Sequence, residues 1–259
     1  MSGEGKGSGG APTVALLGST GKTGGWVLEE ALAAGFHVRA LVRDPRKLEA
    51  HTERSEAHTG TLVLVKGSAT DPDAIARLLE GGVDVVIGTL GSPSKQMLIM
   101  RAAAEALVKA LANLTTKTMA PPPRVVWLTT IGVNEATAQG HKYGLSARCL
   151  PACSCCCGWG CFGCLVFKCL IPYVIGQGVW DDMGLSEDVI RNAGDAIRSR
   201  TVLVRPTNMH PPSEAAAFSD AWRKEGGENV RYQTRRADEV KPYHVVLYYD
   251  IVHLARSLL

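Results

Sequence analysis

Outside residues 149–169 the chain contains no cysteine, which excludes a disulfide framework spread over the fold. It carries no block of basic residues longer than Arg235–Arg236. With 28 basic against 25 acidic residues and a formal net charge of +3, nucleic acid is not an expected partner. Apolar runs fall short of the ~20 residues that cross a bilayer. The opening Met1–Gly10 has neither the apolar core of a secretory signal nor the Arg and Ser of a transit peptide, so residues 1–11 are expected to be a flexible tail and the protein cytoplasmic. In that reducing setting Asn113-Leu114-Thr115 is a chance match to the glycosylation sequon. No solenoid repeat is visible, and 13 prolines and 28 glycines lie far below collagen or low-complexity levels. What is present is an apolar share of 46%, enough for a sizeable core, and residues 12–259 are expected to form one domain.

Strand and helix patterns alternate along that domain. Thr13–Leu17 is a short apolar run stopped by glycine, and the segment from Gly25 to Ala34 repeats its apolar residues at helical spacing. Residues 36–42 alternate as a second strand, after which Asp44-Pro45 opens a short helix. Leu62–Val65 is a third strand, Asp71-Pro72 caps a helix through Leu79, and Val83–Gly88 is a fourth strand. A helix is expected over about 94–111, ended by a loop from Asn113 to the three prolines 121–123, then a fifth strand at 124–130. A helix over about 182–192 and a sixth strand at 201–205 follow, with a last strand at 245–249 and a final helix at 250–259. Strands separated by helices pair in parallel through crossovers, so the expected fold is α/β, a doubly wound Rossmann sheet.

Between the first strand and first helix stands Gly18-Ser-Thr-Gly21-Lys-Thr-Gly24, three glycines at GxxGxxG spacing. Such a turn lets backbone amides and a helix N-terminus approach a pyrophosphate. The Gly-Lys-Thr at 21–23 also suggests an ATP or GTP phosphate loop. That loop requires a glycine at position 16, where this chain has Leu inside the strand.

The acidic residue that usually binds the ribose 2'-hydroxyl falls ~20 positions after the turn, at Asp44, but a residue just before Pro45 also reads as a helix cap. Arg43, with Arg46 and Lys47 one turn on, suits a 2'-phosphate. NADPH is therefore expected over NADH.

These residues resemble the atypical short-chain dehydrogenase/reductases, specifically the NmrA-like NAD(P)-binding family of flavin and biliverdin reductase B type. The likeness is carried by Leu17–Gly24, Leu41-Val-Arg-Asp-Pro45, Gly88-Thr-Leu-Gly91, Val126-Trp-Leu-Thr-Thr-Ile-Gly132 and Val202-Leu-Val-Arg-Pro206. It implies that Thr20, Gly21, Lys22 and Thr23 line the phosphates, between Gly18 and Gly24. Arg43 would hold the 2'-phosphate, Thr89, Leu90 and Gly91 run along the cofactor, and Thr129 and Thr130 lie near the nicotinamide. Where relatives often place an Asp after the third strand to meet the adenine, this chain offers only Ser68.

Ordinary members of the wider superfamily donate a proton from a Tyr whose pKa is lowered by a Lys four residues later. Here Tyr143 is followed at that spacing by Ala147, and Tyr173 by Gln177. His141, Lys142, Tyr143 and Lys168 are the remaining candidates, none of them assigned, and no nucleophile–base pair or spaced His cluster occurs. The expected activity is hydride transfer from NADPH to a flat small-molecule acceptor such as a flavin, quinone or tetrapyrrole. The alternative is a non-catalytic regulator or assembly factor that senses NADP(H).

All eight cysteines fall between Cys149 and Cys169. The pairs Cys153/Cys156 and Cys161/Cys164 stand too close for a zinc ribbon, which separates its pairs by ~15–20 residues, and no metal is expected. Acylation holding the protein at a membrane surface and redox sensing are further readings. The reading adopted is cysteine as apolar filler of a buried helix, because Phe162–Val179 stands where NmrA-like proteins have an apolar helix leading into an acidic helix start, here Asp181-Asp182.

Overall fold

The computed structural model describes residues 11–48, 59–92, 97–130 and 177–205. The N-terminal tail, the cysteine block, His141, Lys142, Tyr143, Lys168 and the expected elements at 245–259 lie outside them. Six strands form one sheet: β1 (Thr13–Leu17), β2 (His37–Val42), β3 (Thr61–Lys66), β4 (Val85–Gly88), β5 (Arg124–Leu128) and β6 (Thr201–Val204). Their order is β3-β2-β1-β4-β5-β6 and every pairing is parallel. This is the doubly wound arrangement expected, with its switch point between β1 and β4.

Because both faces of such a sheet are covered, its strands are apolar on both sides. In β1, Val14 and Leu16 join a core with Val27, Leu28, Ala31 and Leu32 of helix α1 (Lys22–Ala33). Ala15 and Leu17 point the other way, into a core built with helix α2 (Pro72–Leu79) and helix α3 (Met100–Thr118). Helix α4 (Gln177–Arg191) adds Ile190 to that second core. Asp71 caps α2 as expected, its carboxylate accepting the Asp73 N–H at 3.0 Å ahead of Pro72; such a cap contributes about 1 kcal/mol.

Two helices depart from the sequence reading. Helix α3 continues through Thr118 instead of yielding to a loop at Asn113. The hydroxyls of Thr115, Thr116 and Thr118 turn back to the carbonyls of Leu111, Ala112 and Leu114, each at 2.9 Å. Their polarity is thereby satisfied inside the helix, a pattern that makes threonine tolerable there. Met119 ends it in the left-handed region, at φ 54°, with its N–H on the Thr115 carbonyl at 2.9 Å, and the prolines follow. Helix α4 is already helical at Gln177, so Asp181 and Asp182 are not its first turn.

Strand ends are set by packing between neighbours. Gly88 pairs with Trp127 in register, and a Cβ on Gly88 would stand 2.4 Å from the Trp127 ring. Glycine at the end of β4 thus makes room for a fully buried indole. That indole donates to Ser186 Oγ at 3.2 Å, and Ser186 donates to the Met183 carbonyl at 2.7 Å, tying α4 to β5.

Candidate dinucleotide site

The residues expected from the sequence to bind the cofactor follow the C-terminal ends of parallel strands, and so gather along one edge of the sheet. Gly18 to Gly24 lie between β1 and α1, Arg43 after β2, Ser68 after β3, Thr89 to Gly91 after β4, and Thr129 and Thr130 after β5. In open α/β sheets the crevice at the switch point takes the ligand. The glycine turn occupies it, with Arg43 and Ser68 toward one side and Thr129 and Thr130 toward the other.

The turn is built by leaving side chains out. Gly18 has φ +87°, and a Cβ there would meet the Thr89 carbonyl oxygen at 2.8 Å. A Cβ on Gly24 would lie 2.0 Å from the Gly18 carbonyl oxygen, so the first turn of α1 rests directly on the backbone that leaves β1. The Gly21 N–H closes the turn on the Gly18 carbonyl at 2.9 Å. Helix α1 begins without a side-chain cap at Gly21 and without an acidic residue in its first turn, which leaves the positive end of its dipole facing the crevice. Ser19 is 1% exposed, and its hydroxyl has no partner among the described residues, although a buried hydroxyl normally finds one. The uncapped N-terminus, the crowded glycines and the orphaned hydroxyl fit a pyrophosphate. Thr20, Gly21 and Lys22 are exposed over this cradle and Thr23 is half-buried.

Thr89 has a structural partner for its hydroxyl. Its side chain is buried and donates to the Leu17 carbonyl at 2.8 Å, beside its own N–H on the same oxygen at 2.9 Å. The hydroxyl therefore ties β4 to β1 beneath the turn. Leu90 packs on the second core, and a Cβ on Gly91 would meet no described atom within 4 Å.

On the side of β2, Asp44 serves as both a cap and an ion-pair partner. Its Oδ1 accepts the Arg46 N–H at 3.2 Å and Nε at 2.9 Å, and Oδ2 accepts the guanidinium at 2.9 Å. The Arg46 hydrogen bond holds the Asp44 carboxyl below its ordinary range. Arg46 is thus drawn back to Asp44, while Arg43 is exposed at the strand end. Ser68 shares a 2.9 Å hydrogen bond with Thr70 and accepts the Thr70 N–H at 3.3 Å, in the turn that leads to Asp71.

On the side of β5 and β6 the edge is organised by α4, through two carboxylates that the sequence did not single out for these roles. Asp182 reaches the N-terminus of α3: its Oδ2 accepts from Ser92 Oγ at 2.6 Å and the Met100 N–H at 2.9 Å, and its Oδ1 accepts the Arg101 N–H at 3.0 Å. The acidic residue expected to start its own helix caps another one, and fixes the segment after Gly91 through Ser92. Glu187, five residues on, is fully buried. It accepts from the Thr129 hydroxyl, from the Arg205 guanidinium and, at 3.4 Å, from Arg191. Thr129 also donates its N–H to the Val204 carbonyl at 2.9 Å, so the ends of β5 and β6 are held together by backbone and side chain alike. No sequence signal set Glu187 apart from the neighbouring Asp188 on the same helix.

A parallel sheet in the order 3-2-1-4-5-6, with a side-chain-free turn and an uncapped helix at its switch point, defines a dinucleotide-binding Rossmann protein. The chain belongs to the NAD(P)H-binding family, whose pattern matches residues 18–147. Membership bears out the likeness to NmrA-like NAD(P)-binding proteins, and it sets the cofactor as a nicotinamide dinucleotide.

Over 72 residues the chain is 40% identical to Oxidase pynE of Aspergillus niger, a match spanning 26% of each protein. Among solved structures it resembles ChuY, an anaerobillin reductase from Escherichia coli O157:H7, at 16% identity and a TM-score of 0.55, over 95% of this chain and 89% of that one. It also resembles a 3-oxoacyl (acyl-carrier-protein) reductase from Agrobacterium tumefaciens C58 with NADP bound, at 14% identity and a TM-score of 0.54, over 95% of this chain and 86% of that one. These structural likenesses are of fold. Among the described residues no helix is long and apolar enough to cross a membrane, and no three His, Cys, Asp or Glu side chains are grouped to hold a metal.

Proposed function

We propose that the protein is a cytoplasmic NADPH-dependent oxidoreductase of flat, delocalised acceptors such as a flavin, a quinone or a tetrapyrrole. The observation that carries this reading is the Gly18–Gly24 cradle, open at the switch point over an uncapped helix N-terminus, with the Ser19 hydroxyl orphaned within it. Thr20, Gly21, Lys22 and Thr23 line the pyrophosphate there, and the dipole of α1 offsets its charge. Arg43 takes the 2'-phosphate. Lys47 adds charge, and Arg46 adds less because Asp44 holds it. Ser68 stands at the adenine. Thr89 contributes backbone only, since its hydroxyl is committed to Leu17, and with Leu90 and Gly91 it forms the floor beside the cofactor. Thr129 and Thr130 lie at the nicotinamide.

When bound, NADPH supplies a hydride; a delocalised acceptor takes those two electrons and then a proton from solvent. The chain positions the two planes and excludes water between them. It has no Tyr and Lys at the spacing that would protonate an alkoxide as it forms. Simple ketones and aldehydes should therefore be poor acceptors.

Steady-state turnover with NADPH tests this. Quinone or flavin reduction that survives Tyr143→Phe within a few-fold, with no ketone reduction, is expected. Robust ketone reduction lost on Tyr143→Phe would make the protein a conventional carbonyl reductase. The missing Tyr/Lys pair also favours a second reading, a non-catalytic regulator that senses NADP(H). Tight NADPH binding without turnover on any of these acceptors would establish that one.

A further inference from the structure

Glu187 has no exposed surface on its side chain, and both of its carboxylate oxygens accept hydrogen bonds. Arg205 Nε gives to Oε1 at 2.9 Å and its terminal nitrogen to Oε2, Arg191 reaches Oε2 at 3.4 Å, and the Thr129 hydroxyl gives to Oε1. A threonine hydroxyl has one hydrogen and two lone pairs. With the hydrogen committed to Glu187, the Thr129 oxygen has only acceptor capacity left, on a half-buried residue just beyond β5 at the ligand edge of the sheet. The arrangement is rigid from both sides, because the Thr129 N–H is also engaged, on Val204.

We propose that Glu187 is a positioning residue that fixes Thr129 as a hydrogen-bond acceptor, and that Thr129 thereby selects dinucleotides whose pyridine ring bears a carboxamide over those bearing a carboxylate. The inference rests on the reading above that puts Thr129 at the nicotinamide. A carboxamide has an NH2 group to offer the Thr129 oxygen. A carboxylate at the same ring position offers only lone pairs and faces an acceptor whose hydrogen is committed elsewhere, so the two repel and neither finds a donor in the other. The same commitment prevents Thr129 from donating to the oxygen of a bound carbonyl compound.

Calorimetric titration of the full chain with NADP+ and with its nicotinic acid counterpart tests the proposal without any turnover. The parent should bind the carboxamide form about tenfold more tightly. Thr129→Val, which keeps the shape and removes the oxygen, should bring the ratio of the two dissociation constants below about threefold, whereas Thr129→Ser should keep it. Glu187→Gln should also lower the ratio: two arginine donors hold its remaining oxygen at the Oε2 position, which turns its NH2 toward Thr129 as a donor and releases the threonine hydrogen. Damage to the fold alone would weaken both dinucleotides by the same factor. Equal affinities in the parent, or an unchanged ratio in Thr129→Val, would overturn the proposal while leaving the dinucleotide site intact. An unchanged ratio in a folded Glu187→Gln would remove Glu187 from it, and if that variant does not fold the Val and Ser pair decides. Failure of the parent to bind either dinucleotide would instead overturn the proposed function.

Discussion

The two halves of the ligand edge are built on opposite plans. Around β1 and β4 the site is made by omission: Gly18 and Gly24 stand where any Cβ would strike backbone, and α1 starts without a side-chain cap. Around β5 and β6 it is made by addition, with Asp182 and Glu187 of α4 reaching three other elements through buried hydrogen bonds. The first plan suits a ligand group common to all dinucleotides, because backbone N–H groups and a helix dipole recognise any phosphate. The second suits discrimination, since fixed side chains decide donor from acceptor. A protein can then keep one half and vary the other to change what it acts on.

The sharpest way to break this contrast is to remove a carboxylate from the side-chain half. Glu187→Ala leaves Arg205 and Arg191 facing a void, and should cost about 3–5 kcal/mol of stability, read from urea unfolding. A loss under 1 kcal/mol would mean that the backbone bond from Thr129 to Val204 holds the two strands by itself.

In the omission half, Gly24→Ala puts a methyl 2.0 Å from the Gly18 carbonyl oxygen. Nearby backbone must shift, at about 1–3 kcal/mol, and dinucleotide binding should be lost with it. Gly21→Val is the companion: its Cβ would stand 3.2 Å from the Gly18 oxygen, a tight contact relieved by a small backbone shift, so thermal stability should fall less than in Gly24→Ala while NADPH titration shows no binding. Retention of tight binding in both variants would show that the phosphates lie elsewhere.

Asp182→Ala separates capping from ligand binding. Losing three acceptor contacts at the start of α3 should lower stability by about 2 kcal/mol. Affinity for NADP+ should change by less than the Gly21→Val effect, because Asp182 acts on the segment after Gly91 and not on the phosphate cradle. The smallest effect is expected at Arg43. Arg43→Ala should erase most of a roughly tenfold preference for NADPH over NADH, about 1.4 kcal/mol. Equal affinities for the two cofactors in the parent would end that expectation, and would point to Asp44 binding a ribose despite its pairing with Arg46.

Which parts of this could be read in advance follows from distance along the chain. The parallel, doubly wound class of the sheet rests on alternating strand and helix periods, the glycine turn on three residues within seven positions, and the α2 cap on Asp71-Pro72; each is read from a local pattern. Helix α3 was misjudged at its end because Thr115, Thr116 and Thr118 look like loop formers until their hydroxyls are seen bonded one turn back. Asp181-Asp182 looked like a helix start because acidic residues favour N-termini. The rule was right and the helix was wrong, since Asp182 caps α3 from 82 residues away.

By itself the sequence determined the class: apolar strands with both faces covered, a turn that only glycine can make, and a crossover topology leave little but a dinucleotide-binding Rossmann sheet. Tertiary structure alone decided what the polar side chains do. The Thr89 hydroxyl ties β4 to β1, Arg46 is drawn back to Asp44, and Thr129 is paired with a glutamate 58 residues later. The reason is physical. Backbone conformation is limited by neighbours in sequence, but a buried hydroxyl or carboxylate takes whichever partner the folded chain brings within about 3 Å, and nothing in the local pattern names that partner.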